Sequence, residues 1–115
     1  MSEFTRGAVR LHILHHAAEG EIHGAWMSAE LARHRYQISP GTLYPLLHRM
    51  QAEGLITSRQ ESVAGKVRRL YAITREGRAE LAAERRALAE LAHEVLDSTP
   101  AAATEADQRV IHEEP

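Results

Sequence analysis

Apolar positions over the first fifty residues recur at helical spacing. No proline interrupts Phe4 to Ala18; Val9, Ile13 and Ala17 share one face, and Leu11, Leu14 and Ala18 lie beside it. That pattern predicts a helix with an apolar surface broad enough to meet two neighbours, its own core and a second subunit. Gly20 and the stretch from Glu19 to His23 end it. A second helix is predicted from about Gly24 to His34, with Trp26, Ala29, Leu31 and Ala32 facing inward. Arg35-Tyr36-Gln37-Ile38 reads as a short connector.

The third helix is the best punctuated. Ser39 is a good N-cap, and Pro40 sits at the first helical position, where its missing N–H costs nothing. Leu43, Leu46, Leu47 and Met50 follow at helical spacing, and Gly54 supplies the left-handed residue that closes the helix. Pro45 falls within the first two turns, where its ring tightens the start. Two short runs follow, Leu55 to Glu61 and Lys66 to Ile73, separated by a turn around Ala64-Gly65; they read as a hairpin. Thr74 then caps a long fourth helix reaching about Leu96. Leu81, Leu88 and Val95 repeat along it every seven residues, with Leu91 in the intervening slot and a charged Glu84 in the matching one.

Helices, a hairpin and a final long helix, in that order, make a mainly α fold with a small β-hairpin: a winged helix-turn-helix. The organisation expected is a winged domain over residues 1–74, a C-terminal dimerisation helix over 75–97, and a disordered tail over 98–115. The tail is short on large apolar groups apart from Val110-Ile111.

Composition removes several function classes. Cysteine is absent, which excludes a disulfide framework, a thiolate zinc finger, an iron–sulfur cluster and a cysteine nucleophile. No apolar run approaches the roughly 18 residues of a membrane span, and the N-terminus lacks the regions of a signal peptide. A soluble, cytoplasmic protein with no membrane partner is the expectation. Serines lack a base at a defensible spacing and no glycine loop could cradle a phosphate, so no enzyme is expected.

Charge changes the picture. The formal net charge is −2, yet Glu30 to Arg78 carries nine basic residues against four acidic, and the chain from Ala79 onward three basic against nine acidic. Local potential steers a polyanion more than net charge does. The start of the third helix offers Ser39, Gly41, Thr42, Tyr44 and Pro45, with His48 and Arg49 one turn on. Free N–H groups at a helix start attract phosphate, and short side chains permit close approach to a groove. The hairpin adds Arg59, Lys66, Arg68 and Arg69. Strand alternation sends Arg69 to the side of Val67 and Tyr71, and Arg68 to the side of Leu70, so at least one projects to solvent. Double-stranded operator DNA is the partner these features predict.

Leu11 and Leu14 on the first helix, with Leu81, Leu88, Leu91 and Val95 on the fourth, are the candidate dimerisation residues. A helix of this length capping one small domain would leave part of its stripe wet, which favours a second copy of the chain. A two-fold protein also suits a two-fold operator.

Eight histidines occur. His12 and His16 are four apart on one helical face, a workable spacing for a divalent metal such as zinc, nickel or cadmium; His15, Glu19 and His23 lie nearby. No metal is required for folding; the metal expected here is an effector. Trp26 is expected in the core.

The run SPGTLYPLLHRM at Ser39–Met50, EGLI at Glu53–Ile56 and RRLYAITREG at Arg68–Gly77 together resemble the PadR family of bacterial transcriptional regulators, as does LHILHHAAEGEIHG in the first helix. The resemblance spans roughly Arg6 to Leu96. It implies a homodimeric repressor with a winged N-terminal domain and a single C-terminal dimerisation helix, released from DNA by an effector. It carries DNA-binding roles to Ser39, Gly41, Thr42, Tyr44, Pro45 and His48 on the third helix, and to Arg68, Arg69 and Tyr71 on the wing. Some short members sense drugs between aromatic side chains of the last helix; that helix has none here, which favours a metal over a planar drug. Two other readings use the same features: a metal-responsive sensor built on the histidines, and a winged helix that binds protein instead of DNA.

Overall fold

The computed structural model describes residues 1–97; the expected disordered tail, with Val110 and Ile111, lies outside the described residues. The elements are α1 (Glu3–Glu19), β1 (Ile22–His23), α2 (Gly24–Arg33), α3 (Pro40–Ala52), β2 (Ile56–Val63), β3 (Lys66–Ile73) and α4 (Arg75–Leu96). The described chain divides into two compact units, the first Met1–Ala82 and the second beginning at Ala83. That boundary falls inside α4. The cause is burial: Gly77 and Leu81, in the first two turns of α4, are interior residues of the first unit. Among the described residues no helix is long and apolar enough to cross a membrane.

Ser2 caps α1 by accepting from the Thr5 N–H at 3.1 Å, and the helix buries Val9, Ile13, Leu14 and Ala17. Leu14 is fully enclosed, so its place is the core and not a dimer surface; Leu81 is likewise interior. In α2 the buried stripe is Gly24, Met27 and Leu31. Trp26, Ala29 and Ala32, expected inward, are exposed because they fall off that three-and-four spacing.

The turn between α2 and α3 contains no glycine. The Tyr36 N–H bonds the Leu31 carbonyl at 2.8 Å and the Arg35 N–H bonds the Ala32 carbonyl at 2.9 Å. This is a Schellman pair built around Arg35, which sits at φ 71°. At the start of α3 Ser39 holds the cap position through its backbone carbonyl, but its side chain makes no capping bond and reaches Thr42 Oγ1 instead. The end of α3 closes as expected at Gly54, with Gly54 N–H to Gln51 and Leu55 N–H to Met50.

The hairpin belongs to a three-stranded antiparallel sheet of order β1-β3-β2. Ile22 and His23 pair with Tyr71 and Leu70, making β3 the central strand. Leu70 and Tyr71 are therefore both buried, although they point to opposite faces; only toward the wing tip is the strand exposed on both sides. The tip turns through Ala64 at φ 52° and Gly65 at φ 78°, flanked by the pair Val63–Lys66. Positive φ at both central residues is a type I′ arrangement, which asparagine tolerates better than alanine. Ala64→Asn is expected to stabilise the chain by about 0.5–1 kcal/mol, read as a raised midpoint in urea unfolding with the slope unchanged.

Candidate nucleic-acid interface

The solvent side of α3 is set by what its other side buries. Leu43, Leu46, Leu47 and Met50 enter the core, which leaves Gly41, Thr42, Tyr44, Pro45, His48, Arg49 and Gln51 exposed. Ser39 and Pro40 are exposed at its start. Tyr44, His48 and Gln51, at helical spacing, line a cavity of about 290 Å³ with Arg69 and Tyr71 of β3. Helix and wing thus share one concavity. Gly24 makes room for it: a Cβ there would stand 2.7 Å from the Tyr44 ring.

Hydrogen bonds brace this concavity. Arg69 NH1 donates to Ser58 Oγ at 3.0 Å, and Ser58 Oγ donates to Gln51 Oε1 at 2.9 Å. The wing is thereby tied to the last turn of α3. Sequence reading missed Gln51; its signal was its place three residues beyond His48, on the same stripe. Tyr71, expected as a DNA contact, is only 4% exposed. Burial pushes its phenol above the usual tyrosine range, so it is a neutral floor to the cavity and not a projecting group.

The four wing cations differ in how they are held. Lys66, Arg68 and Arg69 are exposed, with the apolar Val63 and Val67 exposed among them. Arg59 instead forms a fork with Glu21, from Nε to Oε2 at 2.7 Å and from NH2 to Oε1 at 2.8 Å, and lies 4.0 Å from Glu61. The hydrogen-bonded guanidinium holds the Glu21 carboxyl below its ordinary range. Arg59, on β2, is therefore already paired with an acid, unlike the other three wing cations. Glu21→Gln would release it. The expected result is elution from immobilised heparin at higher salt than wild type, because one further cation becomes available to a polyanion.

The expected dimerisation set divides in the same way. Leu14 and Leu81 are core residues, and Leu11 is partly buried against the core. Leu88, Leu91 and Val95 stay 47%, 45% and 59% exposed, a spaced apolar row on the second unit.

The expected metal pair also changes. The His12 and His16 rings stack 6.1 Å apart, but His12 turns to His34 and Tyr36, at 5.0 and 5.3 Å between ring centroids. Burial, with the nearby imidazoles of His34, His16 and His15, holds the His12 pKa below its ordinary value. His23 lies in β1, where its Nδ1 is buried with no hydrogen-bond partner among the described residues. His15, His16 and Glu19 are the group, among the described residues, whose donor atoms all come within 4.8 Å of one another.

Known proteins resemble this chain in sequence and in fold. The pattern of the transcriptional regulator PadR-like family matches residues 13–83. Transcriptional regulator Rv3488 of Mycobacterium tuberculosis is 62% identical over 96 residues, covering 84% of this chain and 90% of that protein. The crystal structure of a PadR-like transcriptional regulator from Bacillus cereus superposes with a TM-score of 0.76 at 30% identity, over 84% of this chain and 95% of that one. Bacillus subtilis PadR, solved in complex with operator DNA, shares the fold at 23% identity and a TM-score of 0.58, over 64% of this chain and 45% of its own. The chain belongs to the PadR-like family of transcriptional regulators.

Proposed function

We propose that the chain acts as a homodimeric repressor that reads double-stranded operator DNA with α3 and the wing and is released by an effector. The observation that carries this reading is the shared concavity: the exposed stripe of α3 and Arg69 of the wing line one recess, with Arg68 and Lys66 exposed on the same strand. A helix of this exposure entering the major groove brings Thr42, Tyr44, His48 and Arg49 to base edges, while wing cations meet phosphate or the minor groove. The complex of Bacillus subtilis PadR with operator DNA supports the same use of the fold. The chain acts by binding and not by catalysis, in the cytoplasm where its DNA lies.

The row of Leu88, Leu91 and Val95 supports the dimer, since a second copy of the row removes it from water. Two copies would place their α3 helices at half-sites about one helical turn apart. Sedimentation equilibrium is expected to give twice the chain mass of 12.8 kDa, and Leu91→Glu to give monomers with at least tenfold weaker binding to a two-half-site duplex. A monomeric wild type would end the dimer reading.

The test of the whole is fluorescence anisotropy against the duplex upstream of the protein's own gene, with scrambled DNA as control, at two salt concentrations. Selective binding that weakens steeply with salt supports the repressor. Equal, weak binding to both duplexes overturns it and leaves the protein-binding winged helix.

A further inference from the structure

We propose that His15, His16 and Glu19 on α1 bind a borderline divalent cation of the zinc, nickel or cadmium class, and that Glu30 on α2 orients the His16 ring for it.

The geometry needs little adjustment. His16 Nδ1 lies 3.3 Å from Glu19 Oε1, and His15 Nε2 lies 3.7 Å from Glu19 Oε2. Two ligands bonded to one tetrahedral zinc at about 2.0–2.2 Å stand roughly 3.3–3.6 Å apart. The two imidazole rings meet edge-on at 4.9 Å, which brings adjacent helical positions to one spot. Two imidazoles and one carboxylate are a donor set that suits borderline metals better than calcium or magnesium.

The far side of His16 carries the second observation. Its side chain is 13% exposed, and its Nε2 faces Glu30 Oε2 at 3.5 Å, on a carboxylate itself only 10% exposed. Arg33 grips that carboxylate from Nε at 3.1 Å and NH2 at 2.8 Å, and His34 Nε2 approaches it at 3.1 Å. These partners hold the Glu30 carboxyl down at about 2. A fixed anion behind an imidazole keeps the proton on Nε2 and turns the Nδ1 lone pair toward Glu19. Metal-binding histidines are commonly oriented in this way. His16 stands between two carboxylates, Glu19 and Glu30, in a place made for positive charge.

Glu30 lies on α2, so ligation at His16 bears on the packing of α1 against α2, the helix that in turn meets α3. That regulatory consequence rests on the operator reading; the site itself does not.

Trp26 is the one tryptophan of the chain, and its ring meets that of His16 edge-on at 5.2 Å. Its emission therefore reports ligation without DNA. Zinc chloride and nickel chloride would be titrated into the full chain, followed by Trp26 fluorescence and by calorimetry. The expected result is one ion per chain with a saturable emission change. Glu19→Gln and His15→Ala should each weaken binding at least tenfold, and His16→Ala should abolish the emission response, with circular dichroism unchanged in each. His93→Ala on α4 should bind as wild type. Glu30→Gln should weaken binding about tenfold at pH 7.5, and Glu30→Asp, which keeps the carboxylate, should restore most of that loss. Absence of heat with wild type, wild-type affinity in Glu19→Gln and His15→Ala, or loss of binding on His12→Ala with His15→Ala unaffected would each overturn the assignment. Loss of operator binding with metal binding intact would fail the repressor reading and leave the site standing.

Discussion

Replacing Arg68 and Arg69 together by alanine is expected to lower affinity for operator and scrambled DNA alike, by on the order of 100-fold near 0.1 M salt. The slope of log affinity against log salt should fall by up to about two units, one for each phosphate that no longer meets a cation. The expectation follows from exposure and bonding. Both guanidinium groups are exposed on the central strand, and Arg69 is anchored through the neutral Ser58 hydroxyl; Glu61 stands across the strand pair from Arg68 without the close fork that holds Arg59. Arg59→Ala should change the slope much less, since its charge is already engaged by Glu21. It should instead loosen the sheet, because Glu21 would lose its fork. An unchanged slope in the double variant would remove the wing from the interface. The two variants separate a cation that meets the polyanion from one that holds the wing in shape.

The same contrast separates what is legible in the chain from what only folding brings together. The limits of α3 are legible because Ser39-Pro40 and Gly54 are local signals, decided by backbone geometry within one turn. The stripe on α4 is legible as a period, although periodicity alone cannot tell Leu81, which is core, from Leu88, Leu91 and Val95, which are not. Strand β1 is hidden because two residues carry no alternation, and with it goes the reason why Leu70 and Tyr71 are both buried. The Arg59–Glu21 fork joins residues 38 apart, and the approach of Glu30 to His16 joins two helices. Neither leaves a mark in spacing. Size alone places Trp26 inward, yet Met27 holds the three-and-four position between Gly24 and Leu31 and so takes the core.

Where the chain passes from the sheet to α4, local and long-range demands meet at Thr74 and Gly77. Thr74 Oγ1 accepts the Gly77 N–H at 2.9 Å, capping the helix, while its hydroxyl faces the carbonyls of Gly54 and Leu55 at 2.6 and 3.0 Å. The Thr74 N–H also donates to the Leu55 carbonyl at 3.0 Å. This single residue therefore fastens α4 to the turn that ends α3. Gly77 lets the fastening close, because a Cβ there would collide with the Leu55 carbonyl oxygen and stand 2.7 Å from Ile73 Cγ1. Replacing glycine by alanine within a helix ordinarily stabilises it by roughly 0.5–1 kcal/mol. Here the clash is with backbone, which cannot rotate away, and the sign should reverse. Gly77→Ala is expected to destabilise the chain by about 3 kcal/mol, lowering the thermal midpoint by more than about 10 °C. Gly7→Ala supplies the control, since nothing stands within 4 Å of a Cβ there and the ordinary helical gain should appear. A Gly77→Ala protein as stable as wild type would mean that α4 does not begin against the Leu55 carbonyl.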